Sequence, residues 1–307
     1  MQTLKIAGAR RLLPIGACPT TIQLKMESVN DHPDTGFDQH PLDSEQLSSK
    51  PAGIAPIWHT VLLILAIVAV SVLGMLQHPG GAGIDSTNRI RSYVQTMILE
   101  LVLVGWVAFG LRLRGLPFSS LLGRVSNSFP SIVLDAGIAL LFWIGSMITL
   151  ATVALMWMSI QAAIMHKPLI ETGRNGQPAI SKPAENDATR AVVYLVPRNS
   201  KEIAYWMLLC VFAGVAEEIV FRGYFQSQFT AWARGAAWAG AVFSAVMFGA
   251  AHGYEGARAM FLLIVFGMLF SLLVLFRRNL RAAMFAHIWH DAFVGLIVAL
   301  LHSRHIL

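Results

Sequence analysis

The 307-residue chain is 55% hydrophobic and only 13% charged, with a mean hydropathy of +0.60. Because an ordinary soluble domain carries roughly 25% charged residues, this composition excludes a soluble globular protein and indicates one whose solvent is lipid. The formal net charge of +6 does not indicate a nucleic-acid partner, since the arginines lie in short loops between apolar segments. We therefore expect a multi-pass protein of the cell membrane that contacts membrane lipid and binds no nucleic acid.

Seven apolar segments approach the roughly 20 residues that cross a bilayer. In chain order they are 57–77, 97–113, 131–163, 203–221, 236–252, 259–276 and 283–301. The third is either one helix that extends beyond the bilayer or a span followed by an interfacial piece, with a break at Gly145 and Ser146. The pattern predicts an all-α polytopic membrane protein, a bundle of seven or eight transmembrane helices.

Polar segments divide this bundle into parts. Residues 1–56 cannot bury enough apolar surface to fold, which predicts a disordered cytoplasmic tail. Residues 57–163 would form an amino-terminal group of transmembrane helices, and residues 164–202 a polar linker loop rich in Gly and Pro. Residues 203–307 would form a second group of transmembrane helices, in which the embedded ionisable residues are concentrated.

Arginines in the short loops predict the orientation in the membrane. They follow the second and the sixth apolar segments: Arg112, Arg114 and Arg124, then Arg277, Arg278 and Arg281. Short loops rich in Lys and Arg lie in the cytoplasm. We therefore expect both loops there, with the amino terminus inside and the carboxy terminus outside.

Three charged residues lie together in the fourth apolar segment, namely Glu217, Glu218 and Arg222. Each charge inside a span costs ~2.5–3.5 kcal/mol on insertion scales, so such residues suggest function. At about 100° per residue, Glu218 and Arg222 lie one turn apart and can form an intrahelical ion pair. Glu217 is rotated by about 100° from Glu218, which leaves it free to meet another helix.

Further polar groups occur in the fifth and last apolar segments. His252 ends the fifth segment, and His287 and Asp291 share one face of the last. His290 lies about 60° from His287 and is the weaker candidate. Because polar groups in successive spans are costly unless they converge, we expect Glu217, His252 and His287 to meet in one site.

The order and spacing of these residues resemble a known family. Three motifs match: Glu217-Glu218-x-x-x-Arg222, Phe248-x-x-x-His252 and His287-x-x-x-Asp291. They are similar to those of the CAAX protease and bacteriocin-processing family, which includes type II CAAX prenyl endopeptidases and lysostaphin-resistance-like proteins. The resemblance covers about residues 200–300. It implies an intramembrane endopeptidase that hydrolyses peptide bonds of peptides or proteins presented at the membrane.

The resemblance also implies a role for each matched residue. Glu217 would be the general base that activates a water molecule, and His252 would help to hold that water. His287 and Asp291 would stabilise the oxyanion. The residues that would support the site structurally are Glu218 and Arg222.

Asp291 departs from the family pattern, because many members have Asn at this position. An ionised Asp cannot donate a hydrogen bond to an oxyanion, so Asp291 is protonated, orients His287 or belongs to a metal site. The family's frequent description as metalloproteases leads to the last alternative, in which Glu217, His252 and His287 would ligate a divalent metal such as zinc. The expected cofactor is therefore either none or a divalent metal.

Other functions and roles stay open at this point. The polar cluster could hold helices together in a non-catalytic bacteriocin-immunity or membrane scaffold protein. A transporter with a proton relay would predict symmetry between the two halves of the chain, which the sequence lacks. Two further acids, Glu100 and Asp135, lie near the ends of apolar runs, where we expect their side chains to snorkel to an interface.

Overall fold

The fold was obtained as a computed structural model, which describes residues 53–76, 86–166, 170–172, 178–180 and 195–304. Most of the predicted tail, residues 1–52, lies outside the described residues. The α-helices are α1 (Ile57–Leu76), α2 (Ser86–Arg112), α3 (Phe129–Ile164), α4 (Ser200–Glu217), α5 (Gln226–Trp232), α6 (Ala237–Ala251), α7 (Ala257–Arg277) and α8 (Arg281–Ser303). A π-helix, Glu218–Phe225, joins α4 to α5, and short 3-10 helices cover Phe118–Leu121 and Gly253–Glu255. The all-α prediction is confirmed.

Six helices in the described part of the chain are long and apolar enough to cross a membrane. They are Ile57–Leu76, Asn88–Arg112, Phe129–Ile164, Ser200–Trp232, Ala257–Arg277 and Arg281–Leu301, which confirms a multi-pass membrane protein. The remaining predicted segment, 236–252, corresponds to α6, whose 15 residues rise only about 22 Å against a hydrocarbon core of about 30 Å. The predicted count of seven or eight spans is therefore reached only if this short helix is included.

The structure of α3 distinguishes between the two alternatives for the third apolar segment, which were one long helix or a span that breaks at Gly145 and Ser146. It is one helix of 36 residues, so the predicted break does not occur. The Ser146 hydroxyl donates a hydrogen bond of 2.8 Å to the carbonyl of Trp143 within the same helix. At about 1.5 Å per residue this helix is about 54 Å long and extends beyond a bilayer.

The predicted linker 164–202 contains a small hairpin. Strands β1 (Ile170–Thr172) and β2 (Pro178–Ile180) pair antiparallel, with Ile170 opposite Ile180. Much of the rest of this linker lies outside the described residues. The division of the chain into tail, two helical groups and linker stays a prediction.

The two arginine-rich loops lie together at one end of the bundle, which we call the basic end and define by residues 113–128 and 278–280. The Arg124 amide donates to the carbonyl of Arg278 at 2.9 Å, and the Leu280 amide donates to the carbonyl of Leu122 at 3.2 Å. Both loops therefore lie on the same side of the membrane, as the positive-inside rule requires of two cytoplasmic loops.

Asp135 lies buried beside this end, and the expectation that it snorkels is wrong. It is 0% exposed, and its two carboxylate oxygens accept hydrogen bonds from Arg277 Nε at 3.0 Å and Arg281 Nε at 2.7 Å. Arg281 also donates to Ser126 and Ser131. Two arginines from α7 and α8 thus neutralise the acid and tie α3 to both helices.

Helix α6 runs from the basic end to the opposite end in spite of its length. Near its start, Gly240 lies against Thr230 and the carbonyl of Gln226, in the segment that follows the π-helix. Just after its end, Gly253 lies against Ser71 and Met75 in the last turns of α1. With α6 included, the described residues cross between the two ends seven times, which is the lower of the two predicted counts.

Aromatic side chains form the centre of the bundle around the π-helix. The fully buried members include Tyr224, Phe225, Phe248, Phe266 and Phe270. His59 of α1 is also fully buried, and it pairs with the Tyr224 hydroxyl at 2.9 Å and the Trp106 carbonyl at 2.8 Å. These contacts fix α1 and α2 against the π-helix, next to the motif residues.

Candidate active site

The first motif lies where α4 becomes a π-helix, a rare backbone form that is frequent at functional sites. Glu218 and Arg222 form the expected ion pair, with Arg222 Nη1 donating to Glu218 Oε1 at 2.9 Å. Both side chains are 0% exposed. The guanidinium also lies over the ring of Phe248, 4.2 Å from its centroid, and 5.1 Å from that of Phe270. These cation–π contacts compensate for part of its lost hydration.

His287 is held by the same carboxylate. Its Nδ1 lies 2.9 Å from Glu218 Oε1, and since that oxygen belongs to a carboxylate, Nδ1 is the donor. Its Nε2 lies 3.7 Å from Glu217 Oε2 and 3.7 Å from Asp291 Oδ2. One imidazole thus connects all three acids of the motif, and Glu218 fixes the direction in which Nε2 points.

Glu217 has an unused carboxylate oxygen. Its Oε2 is buried and has no hydrogen-bond partner, although 16% of the side chain is exposed. The expectation that Glu217 and Glu218 face different directions is met only in part, because both reach His287, through different ring nitrogens. A buried, unpaired carboxylate oxygen beside an oriented imidazole is free to accept a proton from another molecule.

Glu100 of α2 also belongs to this cluster, and the expectation that it snorkels is wrong. It is 6% exposed, and its Oε2 is buried without a hydrogen-bond partner. Its carboxyl group lies within hydrogen-bond reach of Glu217 and within electrostatic range of His287 and Asp291. Helix α2 begins at Ser86, so Glu100 lies mid-helix and too deep to reach an interface.

His252 ends α6 and has a defined tautomer. Its Nδ1 lies 2.8 Å from the carbonyl of Phe248, and because a carbonyl only accepts, Nδ1 carries the hydrogen. In the neutral ring Nε2 then carries a lone pair. His252 lies within electrostatic range of Asp291 and Glu255.

The 3-10 turn after His252 adds two residues that the sequence analysis did not include. Burial raises the pKa of Glu255, and the nearby Glu217 adds to this effect, whereas His252 opposes it. Burial also raises the pKa of Tyr254 well above its usual value, with Glu255 as the next cause. The Tyr254 phenol therefore stays protonated at neutral pH beside the cluster.

The described side chains do not form a recognisable zinc site. Across the described ranges, no group of three or more His, Cys, Asp or Glu side chains is placed so that it could hold a metal ion. His287 donates from Nδ1 to Glu218, which leaves Nε2 as the ring nitrogen that could face a ligand. The alternative in which Glu217, His252 and His287 ligate a divalent metal stays a prediction.

These features define a multi-pass membrane protein with a buried cluster of carboxylates and histidines between α2, α4, the π-helix, α6 and α8. Residues 199–293 match the family model described as Type II CAAX prenyl endopeptidase Rce1-like. Neither a curated protein nor a solved structure matches the chain. The matched segment contains every motif residue, so the predicted resemblance to the CAAX protease family is confirmed for this segment of the chain.

The bundle brings most of the predicted site residues together. Glu217, Glu218 and Asp291 surround His287, and Arg222 lies behind Glu218. His290 lies on another side of α8, with its ring 4.6 Å from that of Phe266. The missed members are Glu100, Tyr254 and Glu255. Two of these follow His252 directly in the sequence, which could have drawn attention to them, whereas Glu100 carries no local signal.

Proposed function

We propose that the protein is an intramembrane endopeptidase in which Glu217 activates water for attack on a peptide bond. The observation that supports this most directly is the buried and unpaired Oε2 of Glu217, 3.7 Å from the Nε2 of His287. Leaving a buried polar atom unpaired costs roughly 1–3 kcal/mol. In a site, that cost is offset when a substrate or water molecule binds.

In the proposed first step, Glu217 takes a proton from a water molecule while the water oxygen attacks the carbonyl carbon. His252 helps to hold that water, because its Nδ1–H donates to the carbonyl of Phe248 and leaves Nε2 as an acceptor. The attack moves the carbonyl electron pair onto the oxygen and gives a tetrahedral oxyanion. Donors in a site that excludes bulk water stabilise such an oxyanion strongly.

His287 is the proposed donor to the oxyanion: its Nδ1–H donates to Glu218, and in the charged imidazolium form of the ring Nε2 carries a second hydrogen that it can donate. Glu218 holds the ring from the other side at 2.9 Å, as the acid of a catalytic triad holds its histidine. Asp291 faces the same nitrogen at 3.7 Å, so we assign it to the orientation of His287 rather than to the oxyanion itself. The intermediate then collapses, the C–N bond breaks, and Glu217 returns its proton to the leaving amine.

Glu100 is the proposed partner of Glu217. Five carboxyl groups share this cluster with Arg222 and His287, namely Glu100, Glu217, Glu218, Glu255 and Asp291. Like charges in a buried site are not all ionised together. A protonated Glu100 would donate to Glu217 and hold the base in place while leaving it able to accept a proton. This role makes Glu100 a positioning residue.

The test is cleavage of a peptide library by the purified protein in detergent. We expect wild type to cut and Glu217→Gln to lose about 10³-fold in turnover, within the range that general bases contribute. Thr152→Val, on an exposed turn of α3, is the matched control and should cut as wild type does. Thermal unfolding of each variant shows whether it is folded.

The same experiment tests the other interpretations. If no peptide is cut although all variants are folded, the peptidase function is wrong and the immunity or scaffold role takes its place. A parallel assay with a chelator tests whether cleavage requires a metal cofactor. Loss of wild-type cleavage with a chelator and recovery with zinc would contradict a mechanism that relies on Glu217 and water alone.

A further inference from the structure

Exposure of the charged and imidazole side chains in the candidate site differs between its two ends. On the segment that carries the first motif, the side chain of Glu217 is 16% exposed, whereas Glu218 and Arg222, further toward the basic end, are 0% exposed. On α8 the same gradient is present, because Ala286 is 0% exposed, the side chain of His287 5% and that of Asp291 27%. The site is therefore more open in the half of the bundle away from the basic end.

A packed layer closes the site on the side of the basic end. It consists of residues that are all less than 8% exposed: Leu121, Phe221, Tyr224, Phe225, Phe270 and Leu280. Gly223 lies against Leu121 and Leu280, so this layer reaches from the π-helix to both arginine-rich loops. Close-packed side chains of this kind leave no passage for a peptide.

The opposite half presents polar and partly exposed groups instead. His252, Tyr254 and Glu255 are all partly exposed, and they follow the end of α6. Gly253 lies against Ser71 and Met75 in the last turns of α1. The turn thus lies at the end of the bundle away from the basic loops.

The charges of the short connections assign these two ends to the two sides of the membrane. The basic end has seven arginines in or beside its short connections: Arg112, Arg114, Arg124, Arg234, Arg277, Arg278 and Arg281. The short connections of the opposite end have three nearby: Arg89, Arg91 and Arg258. Since the richer side is cytoplasmic, the open half of the site faces away from the cytoplasm.

We propose that substrates reach this site from the non-cytoplasmic side of the membrane. The substrate class is then a peptide segment of an exported or membrane-anchored protein on that side, and not a chain end presented in the cytoplasm. That the molecule entering the site is a peptide substrate rests on the proposed peptidase function. The direction of access rests on exposure, packing and charge.

Cysteine labelling tests the direction of access without any activity. In a background with Cys18→Ala and Cys210→Ala, three single-cysteine variants are compared in sealed vesicles of both orientations: Arg124→Cys at the basic end, Ala257→Cys at the opposite end and Asp291→Cys in the site. A membrane-impermeant maleimide should label Asp291→Cys and Ala257→Cys from the non-cytoplasmic side, and Arg124→Cys from the cytoplasmic side. Labelling of Asp291→Cys from the side that labels Arg124→Cys would overturn the proposal.

Cleavage by wild type in proteoliposomes gives the second readout, with an impermeant fluorogenic peptide pool added outside. Vesicles in which the end of the bundle that contains Ala257 faces outward should cleave the added peptides, and vesicles of the opposite orientation should not. After detergent is added, both kinds of vesicle should show cleavage. Cleavage only where the Arg124 side faces outward would refute the inference and leave the peptidase intact. No cleavage even in detergent would refute the peptidase, and the labelling would still decide the direction of access.

Discussion

Among the charged side chains buried in the described part of this helical bundle, those around Asp135 and those around Glu217 differ in how completely their atoms are paired. Around Asp135, both carboxylate oxygens accept hydrogen bonds from arginines of α7 and α8. Around Glu217, by contrast, Glu100, Glu217 and Glu218 each keep an oxygen without a hydrogen-bond partner, and Arg222 Nε also has none. Buried polar atoms are normally satisfied, so the paired group is explained by stability and the unpaired group requires another explanation.

This difference helps to distinguish charged residues that stabilise the fold of a membrane protein from charged residues that take part in its function. Both groups cost free energy to insert into a membrane. Only the Asp135 group recovers that cost within the protein itself. The Glu217 group leaves acceptor capacity that a substrate and a water molecule can use, which is the property that active sites share.

The largest effect is expected at the paired group. Asp135→Asn leaves Arg277 and Arg281 without a counter-charge in a buried position, and breaking such a pair costs about 3–5 kcal/mol. We expect a large loss of folded protein and a lower unfolding temperature in detergent, measured by a thermal-unfolding assay. Ser126→Ala, which leaves the backbone carbonyl that accepts from Arg281 in place, is the control. If the Asp135→Asn protein is as stable as wild type, the conclusion that the Asp135 group stabilises the fold is wrong.

Glu218→Gln is expected to affect both properties. Glu218 Oε1 accepts from Arg222 and from His287, so the amide removes the charge from one partner and the fixed orientation from the other. We expect kcat to fall by about 100-fold with little change in KM, together with a smaller loss of stability than for Asp135→Asn. A loss of stability with full turnover in the folded fraction would assign Glu218 to structure alone.

Substitution of Glu100 sharpens the comparison within the unpaired group. Glu100→Leu removes the proposed donor to Glu217, and we expect turnover to fall by about tenfold or more. Glu100→Gln keeps an N–H donor of similar length and should retain most of the activity. The two variants are compared in the same cleavage assay. Equal turnover of Glu100→Leu and Glu100→Gln would show that a hydrogen bond from this position does not contribute to catalysis.

The smallest effect is expected for Asp291→Asn. The substitution places the residue that many family members have at this position, and the amide keeps an oxygen that faces His287. We expect turnover within about tenfold of wild type in the cleavage assay, and Asp291→Leu serves as the disruptive control. Complete loss of activity with Asn would mean that the charge of Asp291 itself takes part in the reaction.

The sequence alone was sufficient to predict the motif residues as one cluster. Glu218 and Arg222, and likewise His287 and Asp291, are spaced by four, and local helical geometry places such pairs on one face. The all-α fold was equally predictable, because long apolar segments leave helices as the main way to satisfy the backbone in lipid.

What could not be predicted depends on partners far apart in sequence. The predicted span 97–113 begins 11 residues too late relative to α2 (Ser86–Arg112), because Arg89 is neutralised by Glu202 of α4 through hydrogen bonds of 2.9 Å. With the helix start misplaced, Glu100 appeared to lie near an interface. Asp135 was misjudged for the same reason, since its arginines lie on α7 and α8.

The most direct test of the account compares Glu217→Gln with Asp135→Asn in one experiment that measures turnover per folded molecule and thermal unfolding. We predict that Glu217→Gln unfolds at or above the wild-type temperature and has lost about 10³-fold in turnover. Asp135→Asn should unfold at a clearly lower temperature and keep the turnover of its folded fraction. If Glu217→Gln instead loses as much stability as Asp135→Asn, the unpaired group is a structural element and the catalytic assignment is wrong.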